Sequence, residues 1–354
     1  MKILKNFRTF VVEGEKMAIC GYRTGVIQDA SRSNWQNNAE RPIAWSAWYP
    51  TEDIDEGKRF SGQFFEPGEV IWNAALALKK RLPVVLLSHG TGGTAESLGW
   101  LARTLAGEGY VVLGANHHGN TGLEPHLAEG FLCWWERAKD LSVLLSSIGT
   151  RGFFANKLDF GKVSAVGFSL GGYTVMALLG AQTSLDEFEI WRRENEITAG
   201  GPKEFPDAAD SIPTLMETSE AFRASWARHG HGYSDVRIKS VVAIAPAPPI
   251  RSFVPRSIAE LQLPVIILSG GADEEAPSEH CADWLVSLND RFQHHELGRH
   301  VGHYTFLEFP SDKSLIGKVA IFSDHKSVNR SKVHEQAAEI VIQSLMRPVV
   351  NGEA

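Results

Sequence analysis

The chain has 354 residues, 43% of them hydrophobic and 22% charged, with a formal net charge of −7. That balance suits a soluble globular protein and excludes a broad basic surface for nucleic acid. No apolar run approaches the length of a membrane span, so neither nucleic acid nor a bilayer is an expected partner.

In chain order, residues 1–20 mix lysines with Glu13 and Glu15 and hold no uninterrupted apolar stretch, so no signal peptide is expected there. Cys20, Cys133 and Cys281 are odd in number and far apart, which argues against a disulfide framework and for a reducing, cytoplasmic setting. Residues 43–49, Ile-Ala-Trp-Ser-Ala-Trp-Tyr, read as an early strand, with 17–22 as its antiparallel partner. Short, continuously apolar runs follow at 83–87, 110–114, 163–167, 241–245 and 265–268, as strands buried on both faces require. Helical patterns separate them. Leu98, Leu101 and Leu105 make one stripe, with Thr94 as its N-cap, and Trp134, Ala138, Leu141, Leu145 and Ile148 make another. A last helix around 333–345 closes the chain.

This alternation predicts an α/β fold: one domain over 1–354, with a mostly parallel, doubly wound sheet and antiparallel N-terminal edge strands. Residues 185–233 break the rhythm, carrying Phe188, Trp191, Phe205, Phe222 and Trp226 among many charges. A helical cap or lid is expected there, over the sheet edge where open α/β sheets bind ligands.

The run at 163–167 leads into Gly167-Phe168-Ser169-Leu170-Gly171-Gly172, and a helical pattern follows at once. Alone, such a pentapeptide is an ordinary turn. Between a buried strand and a helix it is a nucleophile elbow, in which glycines relieve the crowding of a sharp turn and Ser169 is presented at a helix N-terminus. The expected oxyanion donors are the N–H groups of Leu170 and of Thr91, the latter in Ser88-His89-Gly90-Thr91-Gly92-Gly93. His89 precedes the nucleophile and is read as a brace for that loop.

In this arrangement the acid and then the histidine follow the serine in sequence. Asp273, just past the run at 265–268, leads over Glu274 and Glu275 as the acid. For the base, His294, His295, His300 and His303 qualify by order. His303 leads because Gly302 precedes it and an apolar segment follows, and His300 is its rival. In that reading His303 takes the Ser169 proton and Asp273 fixes its tautomer. Trp134, Trp135, Trp191 and Trp226 are expected as walls of the substrate pocket.

Several motifs resemble one family. Leu-Pro-Val-Val-Leu-Leu-Ser-His-Gly-Thr-Gly-Gly at 82–93 is similar to the oxyanion segment of the predicted dienelactone hydrolase group, bacterial relatives of platelet-activating factor acetylhydrolase. Arg41-Pro42 with Trp48-Tyr49-Pro50 resembles its N-terminal strand. Residues 116–121 resemble its Asp-His-Pro-Gly-Asn-Thr loop, with Asn116 and His118 departing from the pattern. Arg137 and Asp140 match an Arg-x-x-Asp motif, and 302–307 resemble its Gly-His-Phe-x-Phe-Leu segment, with Val301 where alanine is usual. The resemblance implies an α/β-hydrolase fold and hydrolysis of a small-molecule carboxylic ester without a cofactor, and it favours His303 over His300. Dienelactone itself is not implied, since true dienelactone hydrolases use cysteine where this chain has Ser169.

Paired histidines (His117 with His118, His294 with His295, His229 with His231) carry no metal-ligand spacing, and Gly90 to Gly93 lack the Lys-Ser/Thr ending of a phosphate loop. No metal or nucleotide is expected. The same residues would also serve amide or lactam cleavage, or acyl transfer. A catalytically silent fold used for binding is the alternative from another class.

Overall fold

The computed structural model describes residues 11–12, 15–16, 19–53, 64–78, 80–197 and 200–346. A short hairpin, β1 (Val11–Val12) with β2 (Glu15–Lys16), comes first. The apolar runs then become strands, because β-branched residues suit a pleated surface covered on both faces. The strands are β3 (Cys20–Ser33), β4 (Glu40–Tyr49), β5 (Val70–Trp72), β6 (Leu82–Ser88), β7 (Val111–Asn116), β8 (Leu158–Phe168), β9 (Ile238–Ile244), β10 (Val265–Ser269) and β11 (Gln293–Glu296). They form one sheet in the order β11-β10-β9-β8-β6-β7-β4-β3-β5. Pairing is antiparallel only for β4 with β3 and β7, so β4 alone runs against the rest.

The N-terminal edge differs from the sequence expectation in its extent. Its long strand, β3, reaches Ser33, while Met17 and Ala18 of the expected 17–22 partner lie outside the described residues. From Arg23 onward β3 alternates half-buried and exposed positions, so no apolar run marks it. The three-residue β5 is too short to carry a pattern at all.

Two apolar layers cover the sheet. On one face, Leu98, Leu101 and Leu105 with helix α1 (Gly99–Gly107) meet Val85, Leu87, Val166 and Val242. The helix α2 (Ala128–Leu132) leads through a turn at Trp134 to α3 (Glu136–Thr150), so Trp134 precedes its expected stripe. Leu141 and Leu145 of α3, with Val175 and Met176 of α4 (Leu170–Leu179), cover Val84, Leu86, Val163 and Ala165 on the opposite face. Full burial of each such Val or Leu contributes roughly 1.5–3 kcal/mol. Thr94 flanks a 3-10 turn (Ala95–Leu98) and makes no side-chain cap, contrary to expectation.

The interrupting segment folds as α5 (Leu185–Glu194), a 3-10 turn (Ala208–Ser211), α6 (Ile212–Thr218) and α7 (Glu220–Trp226). Ser184 caps α5 by accepting from Glu187 N at 3.4 Å. Then come α8 (Pro255–Ala259), α9 (Ala282–Leu288) and α10 (Arg330–Met346), which adds Val333, Ala337 and Val341 to the α1 layer. Among the described residues no helix is long and apolar enough to cross a membrane.

Candidate active site

The chain leaves β8 at Phe168 and enters α4 at Leu170, leaving one residue for the reversal. That residue, Ser169, has φ 55° and ψ −119°, a conformation costing a non-glycine residue on the order of 1–3 kcal/mol. The turn tolerates nothing bulky around it. A Cβ on Gly167 would lie 1.9 Å from the Gly171 carbonyl oxygen, and one on Gly171 would lie 2.0 Å from that of Ser88. The neighbouring strand holds the turn: Ser169 N donates to Ile244 O at 2.8 Å, and Ala247 N donates to Ser169 O at 3.1 Å.

His303 opens a short 3-10 turn (His303–Phe306), and its Nε2 lies 2.9 Å from Ser169 Oγ. Its Nδ1 lies 2.8 Å from Asp273 Oδ2. Asp273 Oδ1 accepts from the N–H groups of Glu275 and Ala276 at 3.0 and 2.7 Å, which fixes the carboxylate. All three side chains are buried, yet Ser169 and His303 line a cavity of about 1220 Å³. The rival residues point elsewhere. His300 is half-buried, accepts from Arg299 Nε and stacks on His325, while Glu275 pairs with Lys203.

Leu170 is the first residue of α4, so its N–H has no intrahelical acceptor. Thr91 lines the cavity beside Ser169, and among the described residues its N–H meets no backbone acceptor. The loop around Thr91 is held from behind. Asn120 Oδ1 accepts from Gly92 N at 2.6 Å, Arg137 donates to the His89 carbonyl, and His89 Nδ1 lies 2.6 Å from Gly90 O. Burial and the Arg137 charge push the His89 imidazole well below its usual range, which keeps it neutral. The part played by Asn120 has no separate mark in the sequence; it sits within the familiar 116–121 loop.

Strand order, elbow and histidine turn together decide the architecture. The chain has the α/β-hydrolase fold. Residues 62–125 match the family profile of platelet-activating factor acetylhydrolase, isoform II. No sequence match is found among curated proteins. Among solved structures, a ferulic acid esterase from Streptomyces cinnamoneus is similar, with 16% identity, TM-score 0.61, and coverage of 97% of this chain and 94% of the other. A puromycin-hydrolyzing peptidase from Mycobacterium tuberculosis is similar at 11% identity and TM-score 0.50, with coverage of 92% of this chain and 39% of the other.

The four tryptophans separate. Trp134 and Trp191 line the cavity with Phe131, Leu132 and Phe188. Trp135 and Trp226 do not reach it. Trp135 is fully buried behind the wall, donates to Ser225 through Nε1 and packs edge-on against Trp226. Both tryptophans fill the core between α3 and α7, where a large aromatic ring is read as readily as in a pocket. The sequence pattern gives no sign of Glu204. It lines the cavity near Gly92 and His126, and burial with the Glu275 charge pushes its carboxyl up.

Proposed function

We propose that the protein is a serine hydrolase that cleaves a small or medium carboxylic ester through an acyl-enzyme on Ser169. The unbroken hydrogen-bond chain from Asp273 through His303 to a strained serine facing a cavity carries this reading. Asp273 holds the proton on His303 Nδ1, leaving Nε2 free to accept the Ser169 hydroxyl proton as Oγ attacks the ester carbonyl. The oxyanion that forms is met by the N–H groups of Leu170 and Thr91. His303 then protonates the departing alkoxide, and water repeats the cycle on the acyl-enzyme.

Residues 185–233 serve as the lid in this proposal, since Phe188, Trp191 and Glu204 form part of the cavity wall. A cytoplasmic location fits the three cysteines, all unpaired and buried.

A fluorophosphonate probe is expected to label the wild type and not Ser169→Ala. Labelling that persists in the variant would place the nucleophile elsewhere, and a folded wild type that resists the probe would favour a silent binding protein. Matched nitrophenyl esters and anilides then separate esterase from amidase, with faster ester turnover expected.

A further inference from the structure

A fully buried cation stands behind the loop that carries Thr91, and the chemistry above makes no use of it. Arg137 on α3 is 1% exposed, and burial pushes its guanidinium down to about 9. The carboxylate three residues along the helix, Asp140, is taken by Arg32, Arg41 and His117. Among the described residues Arg137 donates only from Nη2, to the His89 carbonyl and, at 3.4 Å, to Ser88 Oγ, while Nε and Nη1 are buried without a partner. A cation so poorly matched costs stability, so stability alone does not account for it.

Its bond to His89 falls where two segments of the site meet. A Cβ on Gly171 would lie 2.0 Å from the Ser88 carbonyl oxygen and 3.0 Å from that of His89, so these two carbonyls rest on the elbow. Gly171 directly follows Leu170, and His89 lies two residues before Thr91. The next peptide units of the loop are pinned in turn. Gly90 O accepts from Gly93 N at 3.3 Å and lies 2.6 Å from His89 Nδ1, and Gly92 N donates to Asn120 Oδ1 at 2.6 Å. In a planar trans peptide the C=O and N–H point in opposite directions, so fixing Gly90 O also fixes the Thr91 N–H. Arg137 adds the restraint on the carbonyl that seats this loop against the elbow.

We propose that Arg137 is a positioning residue: its bond to the His89 carbonyl sets the spacing between the Thr91 and Leu170 N–H groups, and with it their grip on the oxyanion. The proposal rests on reading Ser169 as the nucleophile and those two groups as the donors. A misplacement of about 1 Å caused away from the reacting atoms can cost about 10²-fold in rate. Because the donors meet charge that develops only after attack, the loss falls on kcat and spares substrate binding.

The test separates the transition state from the ground state. Arg137→Met keeps an unbranched apolar stem and removes both the donor and the unmatched charge. Per active site counted by fluorophosphonate titration, its kcat on a nitrophenyl ester is expected to fall about 10²-fold, with KM within about twofold of wild type. A trifluoromethyl ketone, to which Ser169 Oγ adds reversibly while its proton passes to His303, yields a hemiketal oxyanion, and its affinity should fall in parallel with kcat. The uncleaved ester, titrated calorimetrically into Ser169→Ala with and without Arg137→Met, should bind equally. Unchanged kcat and ketone affinity overturn the proposal. So does an equal loss of ester and ketone affinity, which would make Arg137 a support for the whole cavity. If Arg137→Met does not fold, Arg137→Gln, with a shorter and neutral arm, carries the same expectations. A wild type that neither cleaves the ester nor takes up the ketone removes the nucleophile reading itself, and this proposal with it.

Discussion

Two serine–histidine–aspartate arrays stand within this sheet and its loops, with almost the same internal distances. In one, Ser169, His303 and Asp273 are linked at 2.9 and 2.8 Å. In the other, Ser88 Oγ lies 3.0 Å from His117 Nε2, and His117 Nδ1 lies 3.0 Å from Asp140 Oδ2. Their surroundings differ in every respect that bears on chemistry. Ser169 sits strained at a helix N-terminus on a cavity wall, whereas Ser88 is fully buried at the end of β6, between β7 and β8. Asp273 is held by backbone N–H groups and has His303 as its side-chain partner. Asp140 is bound by Arg41 at 2.8 Å and Arg32 at 2.7 Å as well as by His117. Burial and the Arg137 charge push His117 down to about 3, so it stays neutral where an acting base must accept a proton. Three side chains in line do not make a nucleophile. Of the two arrays, the one at Ser169 also has access to the cavity and a helix-start N–H beside its serine.

The sharpest way to break this comparison is to remove the members of the open array. Ser169→Ala and His303→Ala are each expected to lower kcat by about 10⁶-fold, and His300→Ala to stay near wild type, in steady-state turnover of a nitrophenyl ester. Activity that survives in His303→Ala would remove it as the base. Asp273→Asn leaves the size of the side chain unchanged but no longer fixes the tautomer, so a loss of about 10⁴-fold in kcat is expected. A loss below tenfold would hand its role to a neighbour such as Glu275.

The sealed array should answer with stability instead. Asp140→Asn leaves Arg41 without its carboxylate, and breaking a buried pair of this kind costs about 3–5 kcal/mol. Urea unfolding measures it, and an unchanged midpoint would show that the network carries no net stability. His117 gives a smaller, pH-dependent effect. Its folded-state pKa lies below the unfolded value of about 6.5, so its contribution is intact above that value and is lost as pH falls toward about 3. His117→Gln cannot titrate, and its stability should fall less steeply than wild type between those limits. Parallel curves would assign the acid sensitivity to other groups.

The two arrays also show where the sequence was informative. The elbow was legible because sharp steric demands leave a mark: Gly167 and Gly171 have no room for a Cβ. The strands from β6 to β10 were legible because burial on both faces permits only apolar residues. The extension of β3 was not, because exposed, alternating positions accept almost any residue. Trp135 and Trp226 could not be told from pocket residues, since a core and a pocket wall select the same side chains. The contacts of Glu204 depend on which loops meet across the cavity, and no local pattern encodes that meeting. Ser88, His117 and Asp140 carry no elbow around their serine, and that missing local signature distinguishes their array from the one at Ser169.

The mildest substitution bears most directly on the comparison. Ser88→Ala removes the hydroxyl that His117 Nε2 and, at 3.4 Å, Arg137 Nη2 approach, but it leaves Asp140 with both arginines. A net loss of about 1 kcal/mol is expected for one buried hydrogen bond. Fluorophosphonate labelling should remain complete, and ester turnover should stay within a few-fold of wild type, because Arg137 still supports the His89 carbonyl behind the Thr91 loop. Loss of turnover without loss of labelling would mean that Ser88 helps set the position of Thr91, joining the two arrays through the loop. Loss of labelling with the fold intact would mean that the sealed array governs the nucleophile itself, and the division drawn between open and sealed would fail.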